Sequence, residues 1–130
     1  MDSLGHVNHT IYIKWMETAR MHYFNACGFS DLYETQGVGP ILAALEVEYK
    51  RPLVFGDTVT VRTRMTRLGR ASFEMDYRLT SKSEQGALVA TGTARLVVYD
   101  FKASQSVPLS DEMRSSIKVL EAKGFTPPRD

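Results

Sequence analysis

The chain has 130 residues, one domain's worth of sequence on the usual prior of roughly 100 to 200 residues per domain. Hydrophobic residues make up 43% and charged residues 24%, which excludes a disordered, collagen-like or low-complexity chain. Sixteen Lys and Arg against 15 Asp and Glu leave a formal charge of +1, so no global field drives the molecule onto nucleic acid or an anionic membrane.

The longest wholly apolar run, Ile41 to Leu45, is far short of the ~20 residues a spanning helix needs, so no membrane span is expected. The opening residues Met1 to His6 carry neither a basic stretch nor an apolar one, and Cys27 has no second cysteine to pair with. Both point to a reducing cytoplasm.

From Ile11 to Cys27 the apolar residues Ile11, Tyr12, Trp15, Met16, Ala19, Tyr23, Ala26 and Cys27 recur at a helical period, the strongest element in the chain. Asn8 or Thr10 is a cap for its start through a side-chain oxygen, and Gly28 sits where a left-handed residue ends a helix. Residues 29–40, with Gly37, Gly39 and Pro40, read as a connecting loop.

After Pro40 the period becomes two. Leu45, Val47 and Tyr49 alternate with Glu46, Glu48 and Lys50, and Gly56-Asp57 then turns the chain into a strand carrying Val59, Val61 and Met65 on one face. Gly69-Arg70 marks a second turn before Phe73, Met75, Tyr77 and Leu79, the cleanest half-buried strand. Beyond the polar stretch 81–86, Leu88, Ala90, Gly92, Ala94, Leu96 and Val98 line one face of a last long strand, with small residues where something packs closely.

These four strands, joined by short turns, predict an antiparallel meander. Ser110 is the expected N-cap of a short helix carrying Met113, Ile117 and Leu120 and stopped by Gly124. A sheet with one apolar face must bury it, and the first helix is the element long enough to cover it. The expected fold is therefore α+β, a curved antiparallel sheet wrapped around one long central helix, plus the short C-terminal helix. It forms a single domain over residues 1–125, with 126–130 as a flexible tail.

The segment Asp2-Ser3-Leu4-Gly5-His6-Val7-Asn8-His9-Thr10-Ile11-Tyr12, followed by Trp15, Glu17, Ala19 and Arg20, resembles the opening of the hot-dog-fold acyl-CoA thioesterases, in particular the 4-hydroxybenzoyl-CoA thioesterase family. Arg51-Pro52-Leu53 with Gly56-Asp57 extends the resemblance downstream, so that it covers essentially the whole chain. It implies a homodimer or homotetramer with sites at subunit interfaces, an acyl-CoA or acyl carrier protein thioester as substrate, and neither metal nor other cofactor. The family's catalytic aspartate corresponds to Asp2, and the backbone N–H that polarises the thioester falls at His9. The family places a strand ahead of that aspartate, whereas Asp2 here directly follows Met1.

Thioester hydrolysis needs a nucleophile or a base for water, and a positive field where the carbonyl becomes an oxyanion. Asp2, with an ordinary carboxylate pKa of about 3.9, is an anion near neutrality and suits the first task. The unpaired N–H groups of the first helical turn, near Asn8 and His9, suit the second, together with the helix dipole. His6, Asn8 and Tyr12 are expected to fix the turn and line the pocket. Asp2, His6 and His9 also read as a weak metal-ligand set, which the resembled family does not use.

Glu17 and Arg20, one helical turn apart, have ion-pair spacing. The other role for Glu17 is catalytic assistance across a subunit interface, because a carboxylate on a covered helix needs a reason. Lys50, Arg51, Arg62, Arg64, Arg67 and Arg70 face only Asp57 among acids, a local charge of +5. Of these, Arg62, Arg64, Arg67 and Arg70 are candidates to receive the phosphates of coenzyme A. An RNA partner ranks below this, since the nearby aromatics Phe73 and Tyr77 fall on the apolar face. A non-catalytic hot-dog module that binds acyl thioesters or serves as a scaffold is the remaining alternative. Trp15, Met16, Tyr23 and Cys27 read as packing residues.

Overall fold

The computed structural model describes residues 7–124. Its first helix, α1 (His9–Ala26), starts where Asn8 supplies a cap. The Asn8 side-chain oxygen accepts from the Thr10 N–H at 2.9 Å, so Asn8 and not Thr10 is the capping residue. Gly28 has φ +77° and turns the chain out of α1.

That turn leads into a second helix, which corrects the expected loop over residues 29–40. α2 (Phe29–Gln36) is a short helix that Gly37 ends at φ +70°. The reason is tertiary: Phe29 is buried at its first position against Phe24 and Phe73, and this packing outweighs weak local propensity.

The sheet consists of β1 (Val38–Tyr49), β2 (Val59–Leu68), β3 (Ser72–Ser81), β4 (Ala87–Asp100) and the two-residue β5 (Gln105–Ser106). The four long strands run in the order β1-β4-β3-β2, and β5 pairs with β4. The expected four-strand meander is therefore corrected to three strands: β2, β3 and β4 follow one another, while β1 lies on the far side of β4. β4 is the longest strand and pairs along its length with both β1 and β3, so β1 gains a full ladder there. Residues 50–58 carry the chain from one edge of the sheet to the other.

The core lies between α1 and the facing side of the sheet. Met16 and Tyr23 of α1 and Phe73, Met75, Tyr77 and Leu79 of β3 are almost fully buried there, together with Ala90, Ala94, Leu96 and Val98 of β4. The register shifts between Leu79 and Thr80 opposite β4, so that Val89 is fully buried and Leu88 only partly. Strict alternation had placed Leu88 inward. The Val89 carbonyl accepts from the N–H groups of Lys50 and Arg51 at 2.8 and 3.2 Å, which ties the end of β1 to this irregularity.

α3 (Asp111–Lys123) starts at Ser110, whose hydroxyl accepts from the Met113 N–H at 3.1 Å, and buries Met113 and Ile117 as expected. Its Glu121 reaches across the open edge of β2. There one carboxylate oxygen accepts from the Tyr23 hydroxyl at 2.6 Å and from the Met65 N–H at 3.0 Å, beside the β2 irregularity between Met65 and Arg67. No helix among the described residues is long and apolar enough to cross a membrane.

Candidate active site

The start of α1 is held from three sides. The Val7 N–H donates to the Leu53 carbonyl at 2.8 Å, Asn8 caps the first turn, and the Tyr49 hydroxyl donates to the His9 carbonyl at 3.1 Å. Tyr49 also meets the rings of His9 and Tyr12 edge-on, with centroids 6.1 and 5.1 Å away. Tyr49 was legible only as a strand residue, because nothing local announces its contact with a helix 40 positions earlier.

Within this frame the N–H groups divide. Thr10 N–H is taken by the Asn8 side chain and Ile11 N–H by the Asn8 carbonyl at 3.0 Å, while the His9 N–H has no acceptor among the described residues. It is the first N–H of the helix, where the dipole is most positive, and it suits a developing oxyanion. The His9 side chain itself is exposed.

Tyr12 is 2% exposed and stacks on Trp15 with centroids 5.7 Å apart, so it underlies the helix start from within the core. Burial pushes its phenol pKa above the ordinary value, partly offset by a Leu53 backbone hydrogen bond, and it stays a neutral hydroxyl. Asp2 and His6 lie outside the described residues. Among the described residues no three His, Cys, Asp or Glu side chains come together in a way that would hold a metal ion.

Glu17 and Arg20 do not form the expected ion pair. Glu17 is exposed, whereas Arg20 is 6% exposed and donates from Nη1 to the Tyr77 hydroxyl at 3.0 Å. Tyr77 is fully buried on β3, so the guanidinium turns toward the sheet and away from its helical neighbour. Both residues line a largely apolar pocket of about 540 Å³ between α1, α2 and the first half of β1. Phe24, Phe29, Leu42, Leu96 and Phe101 form its apolar walls.

The basic residues are dispersed. Arg62 and Arg64 are exposed and alternate with the buried Thr63, which sets them on the side of β2 turned away from α1. Arg64 pairs with Asp76 at 3.1 Å, Lys50 with Glu48 at 2.6 Å and Arg51 with Glu84 at 3.6 Å. Arg62 lies directly opposite Arg78 in the register, a like-charge pair that single-strand reading could not find. Both line a separate cavity of about 360 Å³ with Arg64 and Asp76, and Arg67 and Arg70 lie outside it. Cys27 is buried at the end of α1, where desolvation, reinforced by the charge of Glu121, pushes its thiol pKa up to about 11. Such a thiol is a poor nucleophile near neutrality, in keeping with a packing role.

A long helix laid across a curved antiparallel sheet, with an apolar pocket along its flank and a first N–H that has no acceptor among the described residues, is the architecture of the hot-dog proteins. The family model of the thioesterase-like superfamily matches residues 1–117, and the chain belongs to that superfamily. It is a thioester hydrolase with the hot-dog fold.

Among relatives, the long-chain acyl-CoA thioesterase FadM of Escherichia coli is 23% identical over 120 residues, covering 92% of this chain and 90% of that one. Among solved structures, a thioesterase complexed with coenzyme A and Zn from Thermus thermophilus superposes with a TM-score of 0.78 at 34% identity, covering 94% of this chain and 86% of that one. PA2801, described as a putative thioesterase from Pseudomonas aeruginosa, gives a TM-score of 0.79 at 33% identity over 90% and 88% of the two chains.

Proposed function

We propose that this thioester hydrolase acts on acyl-CoA, releasing a free carboxylic acid and coenzyme A, with Asp2 as base or nucleophile and the His9 N–H as oxyanion donor. The observation that carries this reading is the His9 N–H at the capped start of α1, which has no acceptor among the described residues and lies seven residues after Asp2. An anion there would deprotonate water or attack the thioester carbonyl, and the developing O⁻ would meet the N–H and the helix dipole. The coenzyme A complex of the Thermus thermophilus structure supports the choice of thioester carrier. Arg62 and the opposed Arg78 share one cavity and have no ion-pair partner among the described residues, and we assign them to the phosphates.

A homodimer through β1 completes this reading. β1 is an outer strand of the described sheet, twelve residues long, and exposes Ile41 and Leu42, the kind of edge that folded proteins pair or cover. Two such edges meeting antiparallel about their middle set the Gly39–Leu42 end of one beside the Val47–Tyr49 end of the other. The apolar pocket of one protomer then adjoins the helix start of its partner, and Glu17 gains access to that site. The unpaired cysteine and the lack of a spanning helix among the described residues fit a cytoplasmic enzyme.

The test is a hydrolysis screen over acyl-CoAs of graded length and aromatic character, read by a thiol-detecting reagent, with sedimentation in parallel. Turnover of at least one acyl-CoA by a species of twice the chain mass or larger is expected. A monomer at micromolar concentration overturns the dimer, and no turnover of any member overturns the substrate.

A further inference from the structure

Arg20 is the charged side chain that α1 turns into the protein. It is 6% exposed, and its single hydrogen bond among the described residues is the one from Nη1 to the Tyr77 hydroxyl. Burial pushes the Tyr77 phenol pKa up even though the Arg20 charge draws it down, so that partner is neutral and the guanidinium has no counter-ion among the described residues. The ion pairs among the described residues are Lys50–Glu48, Arg51–Glu84 and Arg64–Asp76, and Arg20 is in none of them. Glu17 and Glu34, the carboxylates that share its pocket, are both exposed.

A buried cation without a counter-ion is costly, and a guanidinium carries five N–H donors of which one is used here. No fully enclosed side-chain nitrogen or oxygen among the described residues lacks a partner, so Nε and Nη2 of Arg20, which make no hydrogen bond there, are not fully enclosed. The open space that Arg20 lines is the apolar pocket. Apolar walls with a planar, water-poor cationic fork among them fit a ligand with an apolar body and an oxygen at its far end. A plain alkyl chain would strip water from the fork and offer nothing in return.

We propose that Arg20 is a specificity-determining residue that selects acyl groups ending in a hydrogen-bond-accepting oxygen, a carboxylate above all, over plain alkyl chains. The proposal rests on the thioesterase reading and names the substrate class of that same site. A carboxylate accepts two parallel N–H bonds from the fork and balances its charge, whereas a methyl end does neither.

The experiment compares suberoyl-CoA with octanoyl-CoA, which have the same chain length and differ only in the terminal carboxylate. Wild type is expected to favour suberoyl-CoA in kcat/KM by about tenfold to a hundredfold. Arg20→Met is expected to erase that ratio, with the suberoyl rate falling further than the octanoyl rate. Equal rates in wild type, or a preference that survives in the variant, overturn the proposal and leave the thioesterase reading intact. A second measurement needs neither turnover nor the variant: free suberate is expected to raise the Tm of wild type more than free octanoate does, and equal shifts overturn the assignment. If no acyl-CoA is hydrolysed, the thioesterase reading fails, while a suberate-selective Tm shift still upholds the acceptor site.

Discussion

Gly92 of β4 lies directly beneath Met16 of α1: a Cβ at Gly92 would stand 2.8 Å from the Met16 sulfur and 3.3 Å from the Tyr77 ring. The buried end of the Met16 side chain therefore occupies the space that a side chain at position 92 would need. Gly92→Ala is expected to destabilise the fold by about 1 to 3 kcal/mol through overpacking. Urea unfolding measures it, and the double variant with Met16→Ala should cost less than the sum of the two single changes, because the shorter side chain vacates the space the methyl group needs.

Asp2→Asn is expected to leave the circular dichroism unchanged and to cut acyl-CoA hydrolysis by roughly 10²-fold to 10⁴-fold, the range for removing a positioned base. The amide keeps the size of the side chain and loses its ability to take a proton or attack as an anion. Wild-type turnover in the variant would reject Asp2 and make Glu17 the next carboxylate to test. Retention of wild-type activity after EDTA treatment is the companion expectation, and a loss restored by one divalent metal would reassign His6 and His9 as ligands.

Asp57 holds together the turn before β2. It accepts from the Ser81 hydroxyl and from the N–H groups of Thr58 and Ser83 at 2.7 and 3.2 Å. These bonds, the Ser81 one foremost, hold its carboxyl pKa below the ordinary value. A depressed carboxylate pKa adds stability above the unfolded-state value of about 3.9, and this stability disappears as the pH falls through the folded-state value. The group is near the surface, so the effect is small. Asp57→Ala should make the acid limb of a plot of stability against pH shallower while leaving the alkaline limb alone, and an unchanged acid limb would assign the effect elsewhere.

Glu121 joins three elements through one carboxylate oxygen, taking the Tyr23 hydroxyl of α1 and the Met65 N–H of β2 onto α3. Glu121→Ala strands a part-buried N–H and is expected to cost about 1 to 3 kcal/mol. Glu121→Gln, which keeps an acceptor oxygen, should cost less. Hydrogen exchange at the Met65 amide should rise sharply in the alanine variant, and unaltered protection there would show that water or another group replaces the carboxylate.

Local signals were enough for α1, the long strands, α3 and the motif. The 3.6-residue period from Ile11 to Cys27, the two-residue period of β3 and the Ser110 cap each depend on neighbours close in sequence, and each appears in the structure as read. Asn8 and His9 were legible for the same reason, since a cap and the N–H groups it leaves over are properties of a single helical turn. The resemblance of residues 2–20 to a thioesterase family pointed to a thioester hydrolase before any contact between elements was known.

Other features were decided by contacts between residues far apart in the chain. Alternation states that a strand has two faces and is silent about its neighbours, so the placement of β1 beside β4 was invisible. α2 forms because Phe29 finds Phe24 and Phe73. Arg20 sits within ion-pair spacing of Glu17, and helical periodicity alone paired the two. Only the packed sheet brings the Tyr77 hydroxyl, 57 positions away, to within 3.0 Å and turns that cation into the protein. Sequence thus determined which local structures this chain forms and which chemistry it carries, because both depend on short-range periodicity and a compact motif. Tertiary structure decided which charges lost their water and which walls they share, because burial is a property of the assembled core.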